Sequence, residues 1–344
     1  MSRLEAHYET VRERNGYDEV SGIDWLERAG LGRRFVAVDG RETVASVLDR
    51  ETKVCMGVGM TGPPHLGTVG QILTGIELQA AGLDVQLVIA DLEPYHNGVD
   101  LARVRALAER YREFALGLGF DPKQGVLRTQ EAGLDVMHTA EVLAPYYAPE
   151  RWESDAGDGD ETAWERAVQE LYEYDESESR QEGPSSEAAS VHSSVLHGVD
   201  FLHPLYAESY EQVIAALGFD EHGLTPWTRR FRDAAPVEGR VAGLHTRMVP
   251  GFGDTPKMSK SIGAGVSLDT KPGVSRERFA AAEDGGDPAA SATFQAMCLA
   301  SRYGAGKLDR LERLCVEDGT AWVDGRREYA DYVAELAGRW QATE

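Results

Sequence analysis

The sequence is short of three things. It has only three cysteines in 344 residues, Cys55, Cys298 and Cys315. They are odd in number and far apart, which excludes a disulfide-stapled scaffold and a CxxC zinc site. It has no apolar run long enough to cross a bilayer, and its first twenty residues are charged throughout and lack a signal-peptide core. The expectation is a cytoplasmic protein with no membrane partner and no resident metal. The third shortage is positive charge: 35 Lys and Arg stand against 58 Asp and Glu, a formal net charge of −23.

That imbalance bears on partners. Nucleic-acid binding rests on Lys and Arg neutralising phosphates, so −23 taken alone argues against DNA or RNA. Two readings reconcile it. Either the surface is acidic because the protein works in high salt, where the screening length falls to about 3 Å at 1 M, or the partner is not nucleic acid. A hydrophobic share of 42% supports a packed core, so a disordered polyanion is excluded.

The apolar pattern predicts an α/β protein. Residues 53–58 read as a buried strand that runs into the Gly/Pro-rich turn 59–64. A helix is expected over 69–78 and a second buried strand over 84–91. Strand, helix and strand within about 40 residues make a βαβ unit, hence a parallel sheet. Further expectations are a strand around 125–127, a strand-like run at 239–249, and helices at 5–14, 44–48, 101–118, 135–143, 191–196 and 208–217. Helices are also expected at 276–282, 289–302, 308–317 and 324–340. Residues 1–50 read as mainly helical. The stretch 150–190 is rich in Asp, Glu, Ser and Gly; apart from a helix at 164–174 it reads as a solvated, mobile insertion with no role. The division expected is a catalytic domain over 1–250 and a smaller helical domain over 251–344.

Two segments carry chemistry. In Pro64-His65-Leu66-Gly67-Thr68, His65 sits at the mouth of a turn before a helix N-terminus, and Gly62 and Gly67 admit a ligand close to the backbone. That suits a phosphate, although a Gly/Pro turn with a surface histidine reads the same way. In Lys257-Met258-Ser259-Lys260-Ser261, two lysines and two hydroxyls in five residues form a donor-rich loop suited to a triphosphate as pyrophosphate leaves.

The string KMSKS with an upstream HLG resembles the paired ATP-binding motifs of class I aminoacyl-tRNA synthetases. Residues 78–85, Ile89-Ala90-Asp91, Tyr95, Asn97-Gly98, Gly218-Phe219-Asp220-Glu221 and Met248-Val249-Pro250-Gly251 are similar to segments of tyrosyl enzymes. Residues 231–236 resemble a tryptophanyl segment. The resemblance implies a Rossmann-like sheet with ATP across its C-terminal edge, an ATP-dependent, AMP-forming ligase that uses Mg2+, and tRNA as acceptor. It implies a homodimer as well. By the same resemblance His65, Thr68, Lys257 and Lys260 are catalytic. Gly57, Gly59, His65, Gly67, Asp220, Met258, Ser259 and Ser261 hold ATP. Cys55, Asp91, His203, Tyr206, Tyr210 and Glu221 form the amino-acid pocket.

Some positions depart from the family pattern. Thr68 stands where His or Asn is usual, and Glu221 replaces a Gln, turning a donor into an acceptor. Cys55 occupies a strand position where tyrosyl enzymes carry a Tyr, and no phenol-binding pair is evident. Tyrosine, tryptophan or another amino acid all remain open. Two rival readings stand beside the synthetase: a paralogue that makes adenylates without charging tRNA, and a non-catalytic nucleotide- or RNA-binding protein.

His192, His197 and His203 lack zinc-site spacing and read as ordinary histidines. Trp322 and Trp340 read as core. Arg302, Lys307, Arg310, Arg313, Arg326 and Arg327 are expected either to face an anticodon stem or to form a solvated helix face. With a tRNA partner in view, the acidity reads as adaptation to a high-salt, halophilic cytoplasm.

Overall fold

The computed structural model describes residues 2–60, 62–149, 162–179, 186–252, 255–258, 265–282 and 284–343, the side chains of 172–179 excepted. In chain order its elements are α1 (Arg3–Asn15), α2 (Asp24–Arg28), β1 (Phe35–Asp39), α3 (Arg41–Ala45), β2 (Thr52–Gly59), α4 (Leu66–Ala80) and β3 (Asp84–Ala90). Then come α5 (Leu92–His96), α6 (Leu101–Leu118), β4 (Gly125–Thr129), α7 (Leu134–Leu143), α8 (Ala163–Ser179), α9 (Glu187–Ala207) and β5 (Gln212–Gly218). The chain continues through α10 (Leu224–Ala234), β6 (Arg240–Thr246), α11 (Pro272–Ala281), α12 (Ala292–Leu299), α13 (Ala305–Glu317) and α14 (Thr320–Gln341).

The strands form one sheet in the order β1-β6-β5-β2-β3-β4. Neighbours from β6 to β4 run parallel, and β1 pairs antiparallel with β6. This is the α/β, Rossmann-like sheet expected, followed by a helical C-terminal region. Side-chain alternation on β2 explains its central place. Val54, Met56 and Val58 enter a core with α4, α6 and α11 to α14, whereas Cys55 enters a second core with α7, α9 and α10. A strand buried on both faces reads as an unbroken apolar run, as residues 54–58 do.

Three expectations need correction. Residues 208–217 are not a helix: residues 212–217 belong to β5, whose side chains are all buried. A short apolar run such as Val213-Ile214-Ala215-Ala216-Leu217 has no period that separates helix from strand. The N-terminal fifty residues also hold a strand, β1, so the sheet is mixed. The acidic segment is not wholly a solvated insertion, because Val168 of α8 is buried in a third cluster with Leu4, Tyr8 and Val11 of α1. The rest of that expectation falls on residues 150–161 and 180–185, which lie outside the described residues.

The C-terminal helices are anchored by large aromatics. Trp340 is 1% exposed and sits edge-on to Tyr111 and Phe114 of α6, with the Arg110 guanidinium 4.4 Å from its ring. Trp322 is fully buried. Both are core residues, as expected.

Topology positions the site. The chain runs from β2 outward to β3 and β4, then returns to β5 and β6 on the other side of β2. The helix after β2 packs on one face of the sheet and the helix after β5 on the other. A crevice therefore opens at the carboxyl ends of β2 and β5, the switch point at which open α/β sheets bind ligands.

His245 on β6 offers a test of the core. It is fully buried, and neither ring nitrogen has a hydrogen-bond partner among the described residues. Burial pushes its pKa down to about 3. Between an unfolded value of about 6.5 and that folded value, the unfolded chain binds the extra proton, so stability falls as pH drops through the window. His245→Phe should flatten the fall in unfolding free energy between about pH 6 and 4 by up to about 1.4 kcal/mol per pH unit. Denaturant titrations at constant salt check this, and an unchanged slope would assign the acid sensitivity elsewhere.

Candidate active site

Two turns meet at the crevice, and each has a glycine that makes room for a polar side chain. After β2 the chain reaches His65, which caps α4. Its Nδ1 accepts the Thr68 N–H at 3.3 Å, and Nε2 lies 3.5 Å from the Thr68 hydroxyl. A ring whose Nδ1 accepts carries its proton on Nε2, which describes a neutral imidazole. The ring folds over Gly67, where a Cβ would stand 2.8 Å from Cε1. Gly67 is therefore required by His65 itself. A Cβ on Gly59 would meet nothing within 4 Å, and one on Gly57 would meet only the Val88 carbonyl at 3.9 Å. The end of β2 faces open space. Thr68 is buried against this turn.

After β5 the chain turns at Gly218 into Phe219-Asp220-Glu221. A Cβ on Gly218 would collide with the Asp220 carboxylate. Asp220 Oδ2 accepts from Lys257 Nζ at 2.8 Å, and the two side chains are only 14% and 19% exposed. Glu221 beside it is exposed.

The Lys/Ser segment is tied at both of its described ends. Met258 is 2% exposed in the core shared with β2 and α4, and its N–H donates to Val249 at 2.9 Å. Lys257 thus leans onto the Asp220 turn from a fixed base. Ser259, Lys260 and Ser261 lie outside the described residues. Beyond them Ser267 forms an antiparallel bridge with His65, and the Leu268 N–H donates to the Pro64 carbonyl at 2.9 Å.

On the opposite face of the sheet lies a cavity of about 350 Å³, lined by Glu93, Gln130, Tyr147, Ser193, His197 and Trp227 among others. Asp200 orients its polar wall. That carboxylate accepts from Arg128 at 2.6 Å and from Gln130 Nε2 at 2.9 Å. A carboxylate only accepts, so the Gln130 amide is fixed with Nε2 toward Asp200. Gln130 Oε1 and His197 Nε2 are then buried without a hydrogen-bond partner among the described residues.

None of the six residues expected to form an amino-acid pocket lines this cavity. Cys55 is buried mid-strand, 3.8 Å from Gln86 Nε2, and burial pushes its thiol pKa up. Asp91 is buried and accepts the Glu131 N–H at 3.1 Å, so it fixes the turn that carries Gln130; burial raises its pKa. His203 is buried, 2.8 Å from the Thr139 hydroxyl and 3.5 and 3.7 Å from carboxylates of Asp135 and Glu208. Tyr206 is exposed.

Tyr210 is the clearest misplacement. Its hydroxyl bonds Asp84 and lies 3.1 Å from Lys53 Nζ, at the amino end of β2 and β3. Six residue steps along β2 lead from Lys53 to Gly59, about 20 Å at 3.3 Å each. The expectation for Tyr210 came from the family resemblance, and the chain around it leads elsewhere. Once 212–218 is β5, residues 203–210 lead to its amino end and not to the crevice. The cavity's lining did leave a signal in the sequence: Ser193, Ser194 and His197 share one face of a helix, and Gln130 directly follows a parallel strand.

The C-terminal cations divide. Arg310 and Arg313 are exposed, Arg302 lies 3.5 Å from Glu77, and Arg327 lies 3.3 Å from Asp324. Lys307 pairs with Glu328 at 2.5 Å and lies 3.4 Å from the centre of the Tyr303 ring. Arg326 is 7% exposed, 3.7 Å from Asp284, and so cannot present its charge to a partner.

Comparison with known proteins agrees with this geometry. Residues 48–148 match the family model of class I tRNA synthetases (W and Y). The fold is similar to tryptophanyl-tRNA synthetase from the hyperthermophilic archaeon Aeropyrum pernix, with TM-score 0.71 and 18% identity over 98% of this chain and 94% of that one. It is also similar to tyrosyl-tRNA synthetase of Archaeoglobus fulgidus, solved with L-tyrosine, with TM-score 0.68 and 16% identity over 93% and 99% of the two chains. A tryptophanyl-tRNA synthetase homolog from Entamoeba histolytica gives TM-score 0.74 at 12% identity over 98% and 93%. No curated protein matches the chain in sequence. The resemblance to the tyrosyl/tryptophanyl subclass of class I synthetases, drawn from two short motifs and several flanking segments, is borne out.

Proposed function

We propose that the chain is an AMP-forming aminoacyl-tRNA ligase that activates an aromatic amino acid, tyrosine or tryptophan, with ATP and passes it to tRNA. One observation carries this reading: the KMSKS segment reaches both site turns, through Lys257 to Asp220 and through Ser267 and Leu268 to His65 and Pro64. ATP fits the open space over Gly57 and Gly59. Asp220 accepts from ribose hydroxyls, and His65 presents its Nε2 proton to the phosphates. Lys257 and Lys260, with Ser259 and Ser261, stabilise the charge that grows on departing pyrophosphate. Thr68 supports His65 and supplies one hydroxyl in place of a second imidazole. No covalent enzyme intermediate is required. The work is positioning and preorganised charge, about 3–4 kcal/mol of barrier per donor.

Among the described residues no group of His, Cys, Asp or Glu is gathered to cage a metal. That suits a Mg2+ that arrives on the triphosphate and takes at most one or two protein ligands. The amino acid occupies the 350 Å³ cavity, a size within the range of about 300–1,000 Å³ common for small ligands. Glu93 and Ser193 in its lining are the acceptors offered to an indole N–H or phenol O–H. A homodimer is part of the reading, supported by the exposed apolar side chains Leu134 and Val142 of α7 and Val191 of α9. The place of action is the cytoplasm; no helix among the described residues is long and apolar enough to cross a membrane. The catalytic part spans 1–250, and 251–344 supplies the KMSKS loop and the tRNA-facing helices.

Exchange of labelled pyrophosphate into ATP, with each of the twenty amino acids offered, tests the activity. We expect exchange with tryptophan or tyrosine, and a fall of about 10²–10³-fold in Lys257→Ala. Silence with all twenty would end the ligase reading. Exchange without charging of total tRNA would favour the adenylate-making paralogue. The net charge of −23 yields a further expectation. Thermal stability should rise with KCl into the molar range as self-repulsion is screened. A maximum at low salt would refute adaptation to a high-salt cytoplasm.

A further inference from the structure

The acidic helix α8 touches the turn that carries Asp220. Its first residues form a capping box: the Thr162 N–H donates to Glu165 Oε2 at 2.7 Å, and the Glu165 N–H donates to the Thr162 hydroxyl at 3.0 Å. This folds the Glu165 carboxylate back against α1, where both oxygens accept from the Arg14 guanidinium, one at 3.0 Å. The same carboxylate lies 3.7 Å from His222 Nε2. Glu165 and His222 are 18% and 15% exposed. Burial alone would raise the pKa of Glu165, yet its contacts with His222, Arg14 and Thr162 outweigh burial and hold it well below the usual carboxylate range. Glu165 is a buried anion satisfied from two sides.

The turn is held from several directions. The Tyr17 hydroxyl lies 3.3 Å from His222 Nδ1 and 3.4 Å from its carbonyl. At the other end, the Phe219 ring packs edge-on to Tyr8 and His7 of α1, at 4.9 and 5.5 Å between centres. His7 also stacks on Trp164 of α8 and lies 3.2 Å from the Thr162 hydroxyl. Phe219, Val168 and the α1 residues share one apolar cluster. Asp220 stands between the two gripped ends, with Lys257 on its carboxylate.

We propose that Glu165 is a positioning residue for the nucleotide site: through His222 and Arg14 it fixes the turn 219–222 and so sets where Asp220 holds Lys257. The proposal rests on the reading that Asp220 and Lys257 serve ATP. It assigns to the acidic segment a role in nucleotide affinity and none in amino-acid recognition, because no described side chain of α8 lines the 350 Å³ cavity.

The test is steady-state exchange kinetics on the full chain, with the amino acid that supports exchange. Glu165→Gln keeps the shape and removes the charge. It should raise the KM for ATP about five-fold and lower kcat through the displaced Lys257, while the amino-acid KM stays within about two-fold. Glu165→Asp, which keeps the charge, should recover most of that loss. Combined with His222→Gln, the effect on the ATP KM should be less than additive, as expected for two groups acting through one contact. Circular dichroism and active-site titration of adenylate confirm that each variant is folded and fully counted. Should Glu165→Gln not fold, Arg14→Gln gives the same readout from the other side of the pair. An unchanged ATP KM, strict additivity, or equal losses toward ATP and amino acid would overturn the proposal. Asp220→Asn and Lys257→Ala keep the two levels apart. If neither disturbs ATP, the underlying reading fails; if both do and Glu165→Gln does not, only this inference fails.

Discussion

The antiparallel contact between Pro64-His65 and Ser267-Leu268 is the constraint on which the site depends. It joins residues about two hundred positions apart, and it does so through backbone groups, which are obligatory hydrogen-bonding partners once removed from water. Met258 is buried and bonded through its backbone to Val249, so the position of neighbouring Lys257 follows from the fold. The core reinforces this, since Met258 packs in the cluster that holds β2 and α4. Displacing the segment therefore means opening the core and not merely moving a surface loop. Glycines complete the arrangement, because Gly67 and Gly218 each leave the space that a site side chain fills.

The unequal legibility of the molecule has a physical basis. A βαβ unit declares itself locally: β2 is an apolar run, α4 follows at helical spacing, and Gly82 at φ +89° turns the chain into β3. The motifs around His65 and Lys257 are likewise contiguous, so their chemistry shows in the string. The 350 Å³ cavity is different. Glu93, Gln130, Ser193 and Trp227 come from four separate segments and converge only because β3, β4 and β5 share a carboxyl edge. Residues 203–210, assigned by resemblance, lead instead to the amino end of β5. Arg326 shows a related limit. An arginine in a polar helix reads as solvated, and only packing reveals that it faces Asp284 inside the protein.

The acidic segment was read as inert for a similar reason. Its composition is that of a solvated arm, and composition averages over faces. The face of α8 that carries Trp164, Glu165 and Val168 is the exception, and it rests on α1 and the Asp220 turn. One carboxylate in a run of carboxylates is distinguished by its partners, which no local pattern records.

The same distinction bears on the proposal of an RNA partner for a polyanionic chain. Long-range repulsion between a −23 protein and RNA acts through solvent, and at molar salt its reach shrinks to about 3 Å. Contacts that are already close and partly buried are screened far less. Lys257 on Asp220, Arg128 on Asp200 and Arg14 on Glu165 are of that kind, with side chains from 10% to 25% exposed. High salt thus removes the cost of the acidic surface and leaves the site geometry standing. Recognition in such a protein falls to direct hydrogen bonds and stacking at contact distance and not to a basic field. An exposed cation held on an aromatic ring, as Lys307 is over Tyr303, suits that regime better than a diffuse basic patch.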